Sequence, residues 1–384
     1  MKQLVKAAMP VMLGCAAFAA SQSTQAVQIV VGQVAPLSGP EASQGRAYAA
    51  GMKLFFNSVN KSGGVNGHTF ALVSKDDGGQ VEQTVAQTGQ ILSETQPMLL
   101  AGFIGARNIA GVVSSGLLEK ENITLVGYRA AAIRTEMPRV YNVRADLHEE
   151  LSKITEHLAT LGVKRIGLFY EQSADAAALL ATTDELVRKG NAAMVLAASY
   201  DAGTTRVADA VDKFIVMSPQ AIVMVCSGAA AARFIELYRA GGGSAQMFVH
   251  SGADMERVAK RIAEDRLSFV SSTMQGVVIA QVVPNPYQVS RIAKELNDAV
   301  ASSGNKLEVP MSYVVMEGFI AAKVIVEAIR RQGARPTRDG MPAALERMDS
   351  LNLSGYAVNY KQGAHSGSRY VDLTIISETG RIRQ

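Results

Sequence analysis

The sequence predicts an α/β protein built as two doubly wound parallel-sheet lobes. Short apolar runs alternate with amphipathic helical patterns along most of the chain. After Met137 and Pro138 an extended stretch interrupts this alternation, which then resumes. The length of 384 residues also suits two domains better than one. Two series of βα units separated by a break therefore predict two lobes.

The first βα unit occupies residues 29–78. An apolar run at 29–34 indicates a buried strand, and the turn-rich loop PLSGP, which contains Ser38, follows it. Tyr48, Met52 and Phe55 then recur at helical spacing, before a second strand pattern at 69–74. Open parallel sheets bind ligands at the carboxyl ends of their strands, so the loop with Ser38 is the first candidate for ligand contact.

Further units follow in order, and right-handed crossovers between parallel strands predict sheets covered by helices on both faces. In the first half the patterns predict helices at 81–92 and 109–121 and strands at 98–103 and 123–128. In the second half they predict helices at 147–158, 176–190, 204–217 and 229–240 and strands at 164–170, 193–200, 221–226 and 246–250. A strand at 277–288, helices at 289–301 and 311–331 and a terminal hairpin in GYAVNYKQGAHSGSRYVDLTIIS complete the chain.

Residues 1–26 are interpreted as a cleavable secretory signal peptide, which predicts a periplasmic protein. Lys2 and Lys6 form a basic region, an apolar stretch follows, and small residues precede a cut before Val27. The segment MLGC resembles a lipoprotein cleavage box, but Leu13 stands where a small residue is expected. Anchoring through Cys15 is therefore the less favoured interpretation.

Composition excludes several classes of function. Removing the two lysines of residues 1–26 lowers the net charge from +4 to about +2, which is no nucleic-acid footprint. Cys226 is then the one remaining cysteine, and its apolar surroundings indicate a buried small hydrophobe. The chain shows no metal-ligand spacing, no GxGxxG after the first strand and no GxSxG turn. We therefore expect no cofactor, no metal site, no nucleic-acid partner and no enzyme.

Several long segments resemble the periplasmic leucine/isoleucine/valine-binding protein family, the type I solute-binding receptors of ABC importers. The pattern PLSGPxAxxGxxxxxGxxLxxxxxNxxGGVxGxxxxLVxxDD carries the resemblance, and VYNVRADLHEE, GVKRIGLFYE, VVPNPYQ and SYVVMEGFIAAKVIVEAI continue it in the family's order. The resemblance implies three crossings between the lobes, which form a hinge. It also implies lobe 1 at 27–143 plus 281–350 and lobe 2 at 144–280 plus 351–384.

The family's amino-acid-reading positions are replaced in this chain. The two hydroxyl side chains that hold a ligand carboxylate align with Ala106 and Ala131. The acid that pairs with a ligand ammonium aligns with Ser251, which cannot neutralise a buried ammonium. Asp254, three residues on, is a possible substitute or a first-turn acid of its helix. The resemblance therefore argues against a branched-chain amino acid as the ligand.

The aromatic walls of the family's pocket are replaced as well. Gln44, Asp175 and Ser227 align with them, and Asp175 is either a ligand contact or a helix cap. Arg107 and Arg129 lie beside the lost hydroxyls, where a guanidinium could bind a carboxylate bidentately or simply face solvent. Tyr128 is either a wall of the pocket or part of the lobe's packing.

The sequence therefore predicts a periplasmic receptor that closes on a small solute and delivers it to the permease and ATPase of an ABC importer. The replaced positions indicate an amino-acid-like or carboxylate-bearing solute other than a branched-chain amino acid. The alternatives are a sensing domain for a separate signalling partner and a secreted α/β enzyme. A sensor would use the same fold, and the sequence does not separate it from a transport receptor.

Overall fold

The computed structural model describes residues 27–130, 137–255, 258, 273–304, 307–360 and 365–383. The predicted signal peptide, including Cys15, and the candidate Ala131 lie outside the described residues.

Lobe 1 contains a parallel five-stranded sheet. Its spatial order is β2-β1-β3-β4-β5, and every pairing in it is parallel. The strands are β1 (Gln28–Ala35), β2 (Thr69–Asp76), β3 (Leu99–Ile104), β4 (Leu125–Arg129) and β5 (Val140–Tyr141). Strands β2 and β3 lie on opposite sides of β1, so the strand order reverses there. Doubly wound sheets bind ligands at such a switch point.

Helices from both ends of the chain cover this sheet. They are α1 (Ala42–Lys61), α2 (Val81–Thr95), α3 (Ala106–Ser114), α4 (Leu117–Lys120), α9 (Arg291–Ser302), α10 (Tyr313–Gln332) and α11 (Gly340–Glu346). Helix α10 packs directly against α1. A Cβ on Gly51 would lie 2.0 Å from the carbonyl oxygen of Val315, and one on Gly318 would lie 2.1 Å from that of Tyr48. Both glycines are therefore required for the two helices to approach this closely.

Lobe 2 contains a mixed seven-stranded sheet. The order is β14-β13-β10-β9-β8-β6-β7, in which β13 and β14 join antiparallel at one edge. The strands are β6 (Arg165–Glu171), β7 (Ala193–Tyr200), β8 (Ala221–Val225), β9 (Gln246–Val249), β10 (Val278–Gln281), β13 (Asp372–Ile376) and β14 (Ile382–Arg383). The helices of this lobe are α5 (Leu147–Thr160), α6 (Ala176–Lys189), α7 (Ala208–Met217) and α8 (Gly228–Ala240). Two α/β lobes, one with a parallel sheet and one with a sheet that is parallel except where β13 and β14 join it, confirm the predicted fold class.

The chain passes between the lobes three times: after β5, after β10 and before β13. The hydroxyl of Tyr356 ties two of these crossings together, since it lies 2.9 Å from the carbonyl oxygen of Val143 and 3.1 Å from that of Val282. Asn142 of the first crossing forms backbone hydrogen bonds with His365 and Gly367 of the third. The three crossings are therefore linked to one another.

The C-terminal region differs from the sequence-based boundaries. The short hairpin β11 (Leu351–Leu353) and β12 (Tyr356–Val358) buries Leu353 and Tyr356 in the core of lobe 1, although residues after 350 were expected in lobe 2. The predicted terminal hairpin is wrong, because β12 pairs with β11 whereas β13 pairs with β10 and β14. The apolar side chains of each segment pack in a core formed by other elements and do not pack against each other. Within the described residues no helix is long and apolar enough to span a membrane.

Candidate functional site

The candidate site is the cleft between the lobes, where strand ends of the two sheets face each other. Arg129, the last residue of β4, donates from Nη2 to the carbonyl oxygen of Ser251 after β9, at 2.9 Å. Arg107, in the first turn of α3, lies beside the loop after β7: a Cβ on Gly203 would sit 3.6 Å from its Nη2. Side chains of lobe 1 therefore reach lobe 2 at two points, and the cleft is closed in this structure.

Arg129 is buried, and each nitrogen of its guanidinium donates a hydrogen bond. Its Nε donates to Oε1 of Gln44 at 3.0 Å, and its Nη1 forms a short ion pair with Glu317. Arg129 is 4% exposed and Glu317 is fully buried in α10. A buried charge is tolerated only when paired and hydrogen-bonded, and each charge here meets that condition through the other.

A second ion pair continues this arrangement into lobe 2. Arg144 donates to Oε1 of Glu150 at 2.7 Å and to the hydroxyl of Ser251, and its Nη1 lies 3.8 Å from Oε1 of Glu317. Ser251 in turn donates its backbone N–H to Oε2 of Glu150 at 2.7 Å and its hydroxyl to Oε1 at 2.8 Å. Burial by itself lowers the pKa of Arg144. The nearby carboxylates of Glu317 and Glu150 together outweigh this effect, so the pKa lies above its ordinary value.

We call these residues the cleft network: Gln44, Arg129, Arg144, Glu150, Ser251 and Glu317. Its two arginines and two glutamates carry no net charge. A cavity of only about 10 Å³ remains between Arg129, Ser251 and Glu317, about the space of one water molecule. The centre of the closed cleft is therefore filled by the protein's own side chains, including the arginine expected to bind a carboxylate.

The other lobe 1 candidates lie around this centre. Ser38 is exposed, and its backbone N–H donates to Oδ1 of Asp76 at 3.2 Å. Asp76 also accepts from Leu37 and Gly78; although burial raises its pKa, hydrogen bonds with Ser38, Gly78 and Leu37 lower it to about 2. The carboxylate of Asp76 therefore fixes the first loop.

Ala106 is half-buried at the start of α3, and Arg107 is exposed. Tyr128 does not face the cleft, because it is 1% exposed and packs in the apolar core formed by α2, α3 and the sheet. Burial raises the pKa of its hydroxyl to about 12. The sequence allowed Tyr128 to be either a wall of the pocket or part of the lobe's packing, and its place in the core agrees with the second.

Three lobe 2 candidates follow strand ends. Asp175 precedes α6 and is exposed, and its side chain makes no capping hydrogen bond within the described chain. Ser227 caps α8 by accepting from the N–H of Ala230 at 3.3 Å, and its own N–H donates to the hydroxyl of Tyr200. Asp254 ends the 3₁₀ turn Ser251–Ala253 in a left-handed conformation and is half-buried.

Sequence reasoning missed Arg144, Glu150 and Glu317 as residues of the cleft. A signal was present for Glu317, the single acid within the apolar run YVVMEGFIAA of a helix that is otherwise buried. A charge at such a position predicts a buried partner. Arg144 and Glu150 are two of several charged residues in VRADLHEE, and the sequence does not show which of them are buried.

His250 lies directly behind Ser251. Its Nε2 is 2.9 Å from the carbonyl oxygen of Cys226, and its Nδ1 accepts from the N–H of Gly252 at 3.1 Å. Burial lowers the pKa of His250 below its ordinary 6.5, so the ring is neutral. Burial also raises the pKa of the Cys226 thiol, which lies in the lobe 2 core. Among the described residues no cluster of His, Cys, Asp and Glu is arranged to hold a metal ion.

Comparison with known proteins gives a consistent result. The family model described as "Periplasmic binding protein" matches residues 28–381. A substrate-binding periplasmic protein from Ralstonia solanacearum is 34% identical, with a TM-score of 0.83 over 93% of this chain and 99% of that one. The LivJ substrate-binding protein of a branched-chain amino acid transporter from Streptococcus pneumoniae, in complex with isoleucine, is 15% identical, with a TM-score of 0.77 over 93% and 98%.

Curated sequences match over spans of different length, among them Leu/Ile/Val-binding protein homolog 7 from Brucella abortus, which is 21% identical over 332 residues, 83% of this chain and 81% of that relative. Leu/Ile/Val-binding protein homolog 3 from Brucella melitensis is 30% identical over 109 residues, 28% of this chain. That match spans 27% of the relative's own length.

Proposed function

Because this chain belongs to the periplasmic binding protein family, we propose that it is a receptor that binds a small organic solute and delivers it to an ABC importer. The observation that carries the proposal is the closed cleft, in which residues after strands of both lobes meet. The three linked crossings supply the hinge about which such lobes open and close. A relative of the same fold is itself a component of a transporter.

We further propose that the solute is not a branched-chain amino acid. Ser251 occupies the position aligned with the ammonium-binding acid, and its hydroxyl and N–H are bound to Glu150. The small cavity beside Arg129 leaves no room for an amino acid while the cleft network is intact. Each guanidinium nitrogen of Arg129 already donates to a protein oxygen, so of these two arginines the exposed Arg107 gives the better support for a carboxylate-bearing solute.

A thermal-shift screen tests the receptor function. The panel contains amino acids, mono- and dicarboxylates, short amides and alcohols. A solute at 100 times its dissociation constant stabilises the folded state by about 2.7 kcal/mol, which gives a clear shift. A shift with any solute other than leucine, isoleucine or valine supports the proposal. A shift with leucine alone contradicts our interpretation of the cleft, and turnover of a bound solute contradicts the receptor function.

Measuring uptake of the solute by a deletion strain distinguishes a transport receptor from a sensor. Deleting the gene should abolish uptake of the radiolabelled solute found in the screen, and restoring it should return uptake. Uptake that persists in the deletion strain would favour the sensing role over delivery to an importer.

A further inference from the structure

The turn that carries Ser251 depends on the side chain of His250. Ser251–Ala253 form the 3₁₀ turn after β9, and Nδ1 of His250 accepts from the N–H of Gly252 at 3.1 Å. A Cβ on Gly252 would lie 2.6 Å from Cε1 of the His250 ring, so glycine is required for the ring to lie this close to the turn. The imidazole therefore caps the turn.

The two ring nitrogens of His250 have opposite roles. Nδ1 carries no hydrogen, because it faces a backbone donor, whereas Nε2 carries one, because it faces the carbonyl oxygen of Cys226 at 2.9 Å. An imidazolium has a hydrogen on both nitrogens. A proton added to Nδ1 would therefore meet the N–H of Gly252 and abolish the hydrogen bond that caps the turn.

This hydrogen bond holds the same peptide group that joins the lobes. The N–H of Gly252 and the carbonyl of Ser251 belong to one planar peptide unit. Its N–H is bound to His250, and its carbonyl oxygen accepts from Nη2 of Arg129 in lobe 1 at 2.9 Å. Release of this peptide from His250 therefore moves the oxygen that Arg129 contacts across the cleft.

The groups around His250 differ in their effect on its charged form. Burial opposes that form most strongly, whereas Glu150 of α5 and the carbonyl oxygen of Cys226 favour it. Arg144 of the first crossing and Arg129 of β4 oppose it, and the balance keeps the pKa of His250 below 6.5. The thiol of Cys226 is neutral, because burial raises its pKa. Glu150 is already paired with Arg144, so it is not free to neutralise an imidazolium.

We infer that His250 is a pH-sensitive switch of closure: its neutral ring holds the Ser251–Gly252 peptide against Arg129, and protonation releases this peptide and opens the cleft. The inference rests on the proposed receptor function and adds a regulation of the same cleft.

The expected pH range follows from the two states of the ring. A His250 ring that is released from Gly252 and reached by water titrates near 6.5, whereas the bound ring titrates below this value. The open form should therefore gain on the closed form as the pH falls through 6.5, by at most about tenfold per pH unit. A solute that needs the closed cleft should bind more weakly by the same factor once the open form predominates.

Small-angle X-ray scattering without added solute, at pH values of about 7.5 and 5, tests the switch. The radius of gyration of the wild type should be larger at the lower pH, while circular dichroism shows a folded protein at both. His250→Asn should stay closed at both, because an Asn side chain does not titrate and can accept from the N–H two residues on. His148→Asn is the matched control at an exposed position and should open as the wild type does.

A second variant separates the switch from other effects of pH. Arg129→Met lacks the donor to Ser251, so its radius of gyration should not change with pH. The inference is overturned if the folded wild type has the same radius of gyration at both pH values. It is also overturned if His250→Asn or Arg129→Met opens with falling pH as the wild type does. Because the scattering needs no solute, such results leave the receptor function to the thermal-shift screen.

Discussion

At the scale of single residues, the cleft is defined by charges that bind one another. Two arginines and two glutamates, each nearly or fully buried, alternate from lobe 1 to lobe 2. Such a group contributes little net stability compared with apolar residues of the same volume, but removing one member leaves its partner buried without compensation. Glu317 is the member whose removal is most severe, because it is shared by Arg129 and Arg144.

Replacing Glu317 by Gln should destabilise the protein by about 3–5 kcal/mol, because two buried guanidinium groups lose their common anion. Glu236→Gln is the matched control, since its pair with Arg233 is half-exposed and should cost less than about 1 kcal/mol. Urea denaturation of both variants measures the difference. Equal losses would show that the cleft network is not effectively buried.

The pKa of His250 gives a second prediction at this scale. Burial lowers the folded-state pKa below 6.5, so as the pH falls through 6.5 the unfolded chain binds a proton that the folded chain does not. The free energy of unfolding should therefore have its full value above this pH and decrease as the pH is lowered from 7 to 5.5. Melting temperatures across this window should show the fall in the wild type and a smaller one in His250→Gln. His148→Gln, at an exposed position, is the control; if it flattens the profile equally, the assignment to His250 is wrong.

At the scale of elements, contact between α1 and α10 holds the N- and C-terminal parts of lobe 1 together. Gly318→Ala would place a Cβ 2.1 Å from the carbonyl oxygen of Tyr48, so the helices must separate, at about 3 kcal/mol. Gly89→Ala is the matched control, because a Cβ there has no neighbour within 4 Å and the helix should gain about 0.5–1 kcal/mol. Thermal melts should move in opposite directions. A Gly318→Ala protein as stable as the wild type would contradict this packing.

Local sequence patterns predicted most helices and strands because apolar residues recur in each at the spacing typical of that element. The helix expected at 109–121 is instead two helices, α3 and α4, since Gly116 adopts a left-handed conformation between them. The partners of Tyr356–Val358 and Asp372–Ile376 were not predictable, because pairing depends on which core each segment meets.

The site was predictable in place but not in chemistry. The predicted residues Arg129, Gln44 and Ser251 follow or face strand ends and are hydrogen-bonded to one another in the cleft network. Glu150 lies 101 residues from its partner Ser251, and Glu317 lies 188 residues from its partner Arg129, so only the folded arrangement brings them together. Counting along the sequence therefore identified positions in the cleft without showing that their polar groups bind each other.

At the scale of the whole molecule, the cleft network joins the two lobes through the protein's own side chains. In a receptor of this architecture the solute usually shifts the balance between open and closed forms by contacting both lobes. Here Arg129 already donates to Ser251 across the cleft. We therefore expect these contacts to hold a large part of the population closed, with a solute that contacts both lobes adding to closure.

Small-angle X-ray scattering of the purified protein without added solute tests this account most directly. Wild-type scattering should match the curve calculated from the closed structure. Arg129→Met removes the donor to Ser251 and should give a larger radius of gyration. Wild-type scattering typical of separated lobes, unchanged by Arg129→Met, would contradict the claim that the cleft network closes the receptor.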